Sequence, residues 1–335
     1  MSYRWNVRAP IVCPLLVAAA LLAALPAPAT AAGSGCDRDC LTGHVDAYLA
    51  ALIARDASRL PLAREVRFTE NLVPLQLGRE GLWQTVTGRG RFNLYVADTK
   101  TGNATWIGTV EENGKPLFMA LRLKIVAGRI AEAETLLGRI ALNSADTVGP
   151  PRSDFARVEP QATRSTRPDL IAMVSRHWDG MEQGSGELAP YTDDCERYDN
   201  GQRTTGPRRP PAPGEPAGDI GLRGIGELTC KGQMASGRFR NGNRVYPRRV
   251  WAVDEERGLV VGYYSPNVPG TAREVQVFGV PFAVGPDELL PFTIQQVELF
   301  KVVDGRISRV EVVLGPRVPY GMRSPFDMRT LWRPR

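Results

Sequence analysis

The chain has 335 residues, 43% of them hydrophobic and 23% charged, with a formal net charge of +6. That balance excludes a disordered chain, a collagen-like fibre or a coiled coil, and the length suits two domains. Two histidines exclude a multi-histidine metal site, and the scattered pairs Arg208–Arg209 and Arg248–Arg249 give no basic stripe for nucleic acid.

The chain opens with Arg4 and Arg8, an apolar run from Ile11 to Leu25, and small residues at Ala29 and Ala31. These are the three parts of a secretory signal peptide, expected over residues 1–31 with cleavage after Ala31 or Ala32. The run is short of the roughly 20 residues a spanning helix needs, so the mature chain is expected to have no membrane span. Export to the periplasm or beyond follows. Cys13 leaves with the leader. Cys36, Cys40, Cys195 and Cys230 remain, and an even number in an exported chain reads as two disulfides with three connectivities. Spacing favours Cys36–Cys40, with Cys36 just ahead of a helix, and Cys195–Cys230, closing a long Gly/Pro-rich loop. A catalytic cysteine–histidine pair is the alternative.

The first amphipathic helix carries Leu41, Val45, Tyr48, Leu49, Leu52 and Ile53 on one face. Strand-like runs follow at 92–97, 104–111, 116–126 and 129–137, with a hairpin turn at Asn113-Gly114. Residues 139–167 are polar and contain proline, which reads as a linker. A second helix is announced by Thr166, Pro168 and Asp169, and it lines up Leu170, Met173, Val174, His177, Trp178 and Met181. Gly/Pro-rich stretches at 203–227 and 265–291 separate later strands at 245–253, 258–264, 293–303 and 306–314, with a turn at Asp304-Gly305.

The two halves repeat. Lys124 to Gly138 and Lys301 to Gly315 agree at eight of fifteen positions at an offset of 177. Upstream, at an offset of 129, Pro61 falls on Pro190, Val66 on Cys195, Glu70 on Asp199 and Asn71 on Asn200. The second copy thus carries 48 extra residues, in the Gly/Pro-rich stretches.

A leading helix followed by a meander of long strands resembles the nuclear transport factor 2-like superfamily, of the SnoaL-like and ketosteroid-isomerase kind. The segment Tyr48 to Asp56, then Leu62-Ala63, then Val66 to Glu70 carries the resemblance, and Pro319 to Met322 adds a likeness to exported bacterial and fungal proteins. The resemblance implies an α+β fold of two tandem cone-shaped barrels, each a bent sheet wrapped by N-terminal helices. It divides the chain into a first SnoaL-like domain at 36–138, the linker, and a second at 168–325 with inserts. Such cones often pair through their sheets, so a homodimer or an internal pseudo-dimer is expected.

The isomerase branch implies an oxyanion-holding tyrosine, matched by Tyr48 in copy one and His177 in copy two. It implies a general-base carboxylate, matched by Glu70 and Asp199. Its second oxyanion acid has no assigned partner. The dehydratase branch uses a His–Asp pair, which His177 and Asp199 fit. A carboxylate in an apolar pocket is desolvated and takes a proton from carbon more readily. The expectation is therefore an exported lyase, dehydratase or isomerase, without metal or cofactor, acting on a small cyclic or aromatic molecule. Trp178, Arg197, Tyr198, Trp251 and Tyr263 are the candidate pocket residues. The alternative is a non-catalytic ligand-binding or scaffolding protein built from two cones. The two expected halves of the active pair are His177 and Asp199 facing each other, with the long inserts of copy two as a lid.

Overall fold

The computed structural model describes residues 35–139, 149–206, 226–240 and 244–327. The expected signal peptide lies outside the described residues, as does most of the first Gly/Pro-rich insert. No helix of the described residues is long and apolar enough to cross a membrane.

Helix α1 (Arg38–Ala54) starts where Asp37 accepts the Cys40 N–H, and it buries Leu41, Val45, Tyr48, Leu49 and Leu52 of the predicted stripe, with Ile53 only partly buried. Cys36 precedes it and is joined to Cys40 across the first turn. Strands β1 (Leu62–Glu70), β2 (Val73–Pro74), β3 (Val86–Asp98), β4 (Asn103–Glu112), β5 (Lys115–Val126) and β6 (Arg129–Gly138) form one sheet in the order β2-β1-β6-β5-β4-β3, with a short helix α2 (Leu82–Thr85) before β3. The meander pairs antiparallel, while β1 returns parallel beside β6.

The second half repeats this plan. Helix α3 (Arg167–Gln183) begins with the predicted capping box of Thr166 and Asp169. Strands β7 (Tyr191–Asp199), β8 (Gln202–Arg203), β9 (Arg244–Asp254), β10 (Leu259–Val268), β13 (Phe292–Val303) and β14 (Arg306–Pro319) form a sheet in the order β8-β7-β14-β13-β10-β9. The extra residues add helix α4 (Cys230–Ala235) and a two-stranded hairpin, β11 (Glu274–Val277) with β12 (Val280–Ala283). The fold is α+β, two tandem cones of a bent mixed sheet and a leading helix. Bulges interrupt several ladders and bend the sheets.

The repeat is visible in atomic detail. Asn71 and Asn200 both adopt left-handed backbone, φ 48° and 46°. Each side chain accepts a backbone N–H from the last strand of its own cone, Leu137 and Leu314, both at 2.9 Å. The tight turns Ala127-Gly128 and Asp304-Gly305 have positive φ at both central residues, as a two-residue hairpin requires.

Side chains alternate across each sheet. One face packs on the helix to make a core per cone, and the other packs against the opposite sheet. The shared core holds Leu94, Ile107, Phe118 and Leu136 from the first sheet and Trp251, Tyr263, Leu299 and Val313 from the second. The two cones form an internal pseudo-dimer through their sheets. Close approach occurs at equivalent glycines: a Cβ on Gly138 would lie 2.6 Å from Asn200 Oδ1, and one on Gly315 would lie 2.5 Å from Leu136 Cδ1.

The segment between the cones is packed rather than free. Phe155 is buried in the shared core, and Glu159 meets the fully buried Lys301 Nζ at 2.6 Å. Ser324 and Asp327, near the C-terminal end of the described residues, join Glu134 and Arg249 in a further buried ionic cluster. Burial alone would raise Glu134, but Arg249 and Arg122 outweigh it and hold its carboxyl at about 2.

Candidate functional site

A cavity of about 260 Å³ opens into the second cone. Met181, Phe239, Pro266, Val268, Phe292, Ile294 and Leu314 give it apolar walls; Asp199, Arg197 and Gln296 are polar groups on its strands, and Arg238, Glu288 and Arg317 complete its polar lining. Strand alternation explains the placement. On β7, Cys195, Arg197 and Asp199 share the inward face; on β13, Gln296 and Glu298 do the same, while Val297 and Leu299 face the other sheet.

Beneath the cavity lies a polar constellation centred on Glu298, which is 0% exposed. Its Oε1 accepts from Arg197 Nη1 at 2.6 Å and from the Tyr264 hydroxyl at 2.8 Å. Its Oε2 accepts from Trp178 Nε1 at 3.0 Å. The Tyr264 hydroxyl also meets Gln296 Oε1. Arg197 turns its Nε toward Asp199 Oδ1 at 2.9 Å, so one guanidinium faces two carboxylates. Burial pushes Glu298 up, but Arg197 and then the His177 ring outweigh it and hold the carboxyl at about 2. Asp199 moves the opposite way: burial raises it, Arg197 opposes that, and the Glu298 charge adds to it. Its side chain is 30% exposed and lines the cavity. Two linked carboxyls pushed apart in this way fit an acid–base site.

His177 is not in the cavity. It is 1% exposed, its Nδ1 lies 2.8 Å from the Tyr191 hydroxyl, and its Nε2 stands 3.5 Å from Glu298 Oε2, at the edge of hydrogen-bond reach. Glu298 and Arg197 thus stand between His177 and Asp199, and the expected face-to-face pair does not form. The reason is helical: the face that carries His177 also carries Leu170, Val174 and Trp178 into the core.

Other candidates are corrected by the same alternation. Trp251 and Tyr263 stack with centroids 5.9 Å apart in the core between the sheets, on the face away from the cavity, with Arg249 over Tyr263 at 4.5 Å. Tyr198 also faces outward, under Arg152 at 4.4 Å. Trp178 lies below the cavity, and of the five pocket candidates Arg197 alone lines it.

In the first cone, Tyr48 is 0% exposed, packs edge-on against Trp83 at 5.4 Å, and burial raises its hydroxyl well above the usual range. Glu70 is 7% exposed and accepts the Leu82 N–H at 2.8 Å; burial raises its carboxyl. The two offsets place Phe68, Met119 and Leu121 where the second cone has Arg197, Gln296 and Glu298, and all three are buried. The first cone is therefore apolar at the positions that make the second polar. Glu298 and Gln296 were missed from sequence. Reading polar residues of one copy against apolar ones of the other would have found both.

The inserts wall the cavity. Arg238 and Phe239 follow α4, and Glu288 follows the β11–β12 hairpin; Arg238 Nη2 meets Glu288 Oε1 at 2.6 Å. The Cys195–Cys230 bond ties α4 to the strand bearing Arg197 and Asp199. Among the described residues, the one His/Cys/Asp/Glu trio with ligand atoms within 4.8 Å is Cys36, Cys40 and His44, whose sulfurs are joined in the disulfide.

A domain of unknown function, DUF8021, matches residues 163–314, the second cone and less than half of the chain. A comparison with curated proteins gives no match. Among solved structures, a candidate polyketide cyclase from Xanthomonas campestris pv. campestris is 18% identical, covering 44% of this chain and 92% of that one, TM-score 0.28. A candidate ketosteroid isomerase from Kribbella flavida is 15% identical, covering 36% and 90%, TM-score 0.25. A nuclear transport factor 2-like protein from Cytophaga hutchinsonii is 9% identical, covering 45% and 99%, TM-score 0.24. At these scores the alignments carry no argument on activity, and the strand order and leading helices define the fold. The fold is an α+β cone, a leading helix on a bent mixed sheet, in two tandem copies.

Proposed function

We propose that the second cone is an acid–base site for a small, largely apolar cyclic carbonyl compound, with Asp199 as the general base. The observation that carries this is the placement of Asp199. It is a carboxylate raised by burial, lining a cavity with apolar walls, and held at 2.9 Å by a guanidinium that it shares with Glu298. In this reading the Asp199 carboxylate takes a proton from the carbon beside the carbonyl. The electron pair moves to the carbonyl oxygen, and the Arg197 guanidinium and the Gln296 amide supply the donors that stabilise the enolate. The proton then returns at another carbon, which is isomerisation, or a group on the β-carbon leaves, which is elimination. His177, beneath Glu298, holds that carboxylate in place rather than touching the substrate. Export belongs to the same reading and is supported by the two disulfides.

Incubation with a panel of cyclic ketones and enones in deuterated water tests this. Wild-type protein should place deuterium on the carbon beside the carbonyl, and Asp199→Asn should lower that rate by at least 100-fold. Equal exchange by both proteins would leave the cone as a binding module, the second reading, which the well-formed cavity also supports.

A further inference from the structure

The cavity at Asp199 does not end at its own walls. A second cavity of about 210 Å³ lies under the β11–β12 hairpin, with Val275, Val277, Phe282 and Ala283 among its lining residues. Arg238, Glu288 and Arg317 line both cavities, so the two adjoin at these residues, which are taken as the neck between an inner and an outer chamber. Pockets for drug-sized molecules hold about 300–1,000 Å³. The inner chamber falls short of that range at 260 Å³, and only with the outer one does the space reach it.

The charges at the neck are unequal. Arg238 is matched by Glu288 at 2.6 Å. Arg197, deeper in, is matched by Glu298 and Asp199. Arg317 has no carboxylate paired with it among the described residues. Its guanidinium lies 4.2 Å from the centroid of the Phe292 ring, and its Nη1 donates to the Asp287 carbonyl at 3.2 Å. A planar guanidinium laid on an aromatic wall where the two cavities adjoin, and exposed rather than buried, is a suitable seat for a carboxylate.

The outer chamber is a built feature. Gly237 has φ 79°, and a Cβ there would stand 2.6 Å from the Gln276 carbonyl oxygen, so the hairpin can reach α4 only over a glycine. Phe278 N–H donates to the Ser236 carbonyl at 2.9 Å. The Cys195–Cys230 bond then anchors α4 to β7. The hairpin is thereby tied, through α4, to the strand that carries Asp199.

We infer that the second cone takes an elongated molecule with a carboxylate: its ring lies in the inner chamber at Asp199, the carboxylate at Arg317, and an apolar extension under the hairpin. This rests on the proposed function only for the placement of the reacting ring; the two-chamber binding stands without it.

The test measures the affinity of four probes by calorimetry on the protein: phenylacetate, 2-phenyloctanoate, which adds a hexyl extension at the carbon bearing the carboxylate, and the neutral amide of each. The longer acid should bind at least tenfold tighter than phenylacetate and at least tenfold tighter than its own amide. Arg317→Gln should abolish the preference for acid over amide. Ala283→Phe, on the exposed β12 strand, should bring the longer acid down to the affinity of phenylacetate and leave phenylacetate unchanged; Val277→Phe is the second filling variant, from the facing strand. Equal binding of the long and short acids, or no effect of either filling variant, overturns the outer chamber. An acid preference that survives Arg317→Gln overturns the carboxylate seat. Asp199→Asn separates this from the proposed chemistry, because it should stop deuterium exchange while leaving the chain-length preference in place.

Discussion

Replacing Glu298 by Gln removes one charge and little volume from the centre of the second cone. A carboxyl held at about 2 instead of its ordinary 4.5 contributes about 3 kcal/mol to folding at neutral pH. The range for breaking a buried pair, roughly 3–5 kcal/mol, agrees. The sign follows from the depressed value. The contribution is complete above about pH 4.5 and is lost as pH falls toward 2, where folded and unfolded states bind the proton alike. Urea unfolding should therefore show E298Q about 3 kcal/mol less stable at pH 7, with the gap falling to roughly half or less by pH 3. The same change should act on Asp199. The Glu298 charge helps to raise Asp199, and without it Arg197 has Asp199 as its remaining carboxylate partner in this constellation. The Asp199 carboxyl, followed by carbon NMR, should then titrate at lower pH than in wild type. A loss under 1 kcal/mol, a gap that does not narrow in acid, or an unmoved Asp199 would refute the idea of one guanidinium shared by two unequal carboxylates.

Glu311 behaves oppositely: burial pushes it up to about 8, against the opposing charge of Arg152. A raised carboxyl favours the protonated folded state, so stability falls as pH climbs from about 4.5 to 8. Glu311→Gln should match wild type near pH 5 and become the more stable protein at pH 8 by thermal unfolding. Gly138→Ala should destabilise more than Gly315→Ala. The first Cβ meets Asn200 Oδ1 and, at 3.0 Å, a backbone carbonyl, while the second meets the flexible tip of Leu136. Removing the Cys195–Cys230 bond with serine at both positions should cost about 4 kcal/mol in the chain-entropy model, read by denaturant midpoint. It should also weaken the chain-length preference of the outer chamber.

Much of the fold was legible because each cone is written twice. The strands expected at 116–126 and 293–303 are found at Lys115–Val126 and Phe292–Val303, and both helical stripes are buried as spaced. The parallel returns of β1 and β7 were not legible, since nothing local in a sequence specifies a partner so far along the chain. Nor was the β11–β12 hairpin, whose turn places Phe278 at φ 51°, an unfavourable conformation for an aromatic residue. At the site, aligning Glu70 with Asp199 pointed to the carboxylate that lines the cavity of the second cone. Helical periodicity could not tell whether His177 faces a cavity or the core, because both lie on the same side of α3. Glu298 escaped notice because it sits inside an apolar strand run, where a charge reads as surface. Its burial depends on Arg197, Trp178 and Tyr264 arriving from three other elements. Trp251 and Tyr263 were misplaced because aromatic residues line both faces of the second sheet.

The most direct test of the central claim is a crystal structure of the protein with a cyclic enone bound. The account predicts the ring in the second cone, its reacting carbon about 3–3.5 Å from the Asp199 carboxylate and its oxygen within hydrogen-bond reach of Arg197 or Gln296. An enone seated beside Tyr48 and Glu70 in the first cone, or bound away from Asp199 in the second, would contradict it.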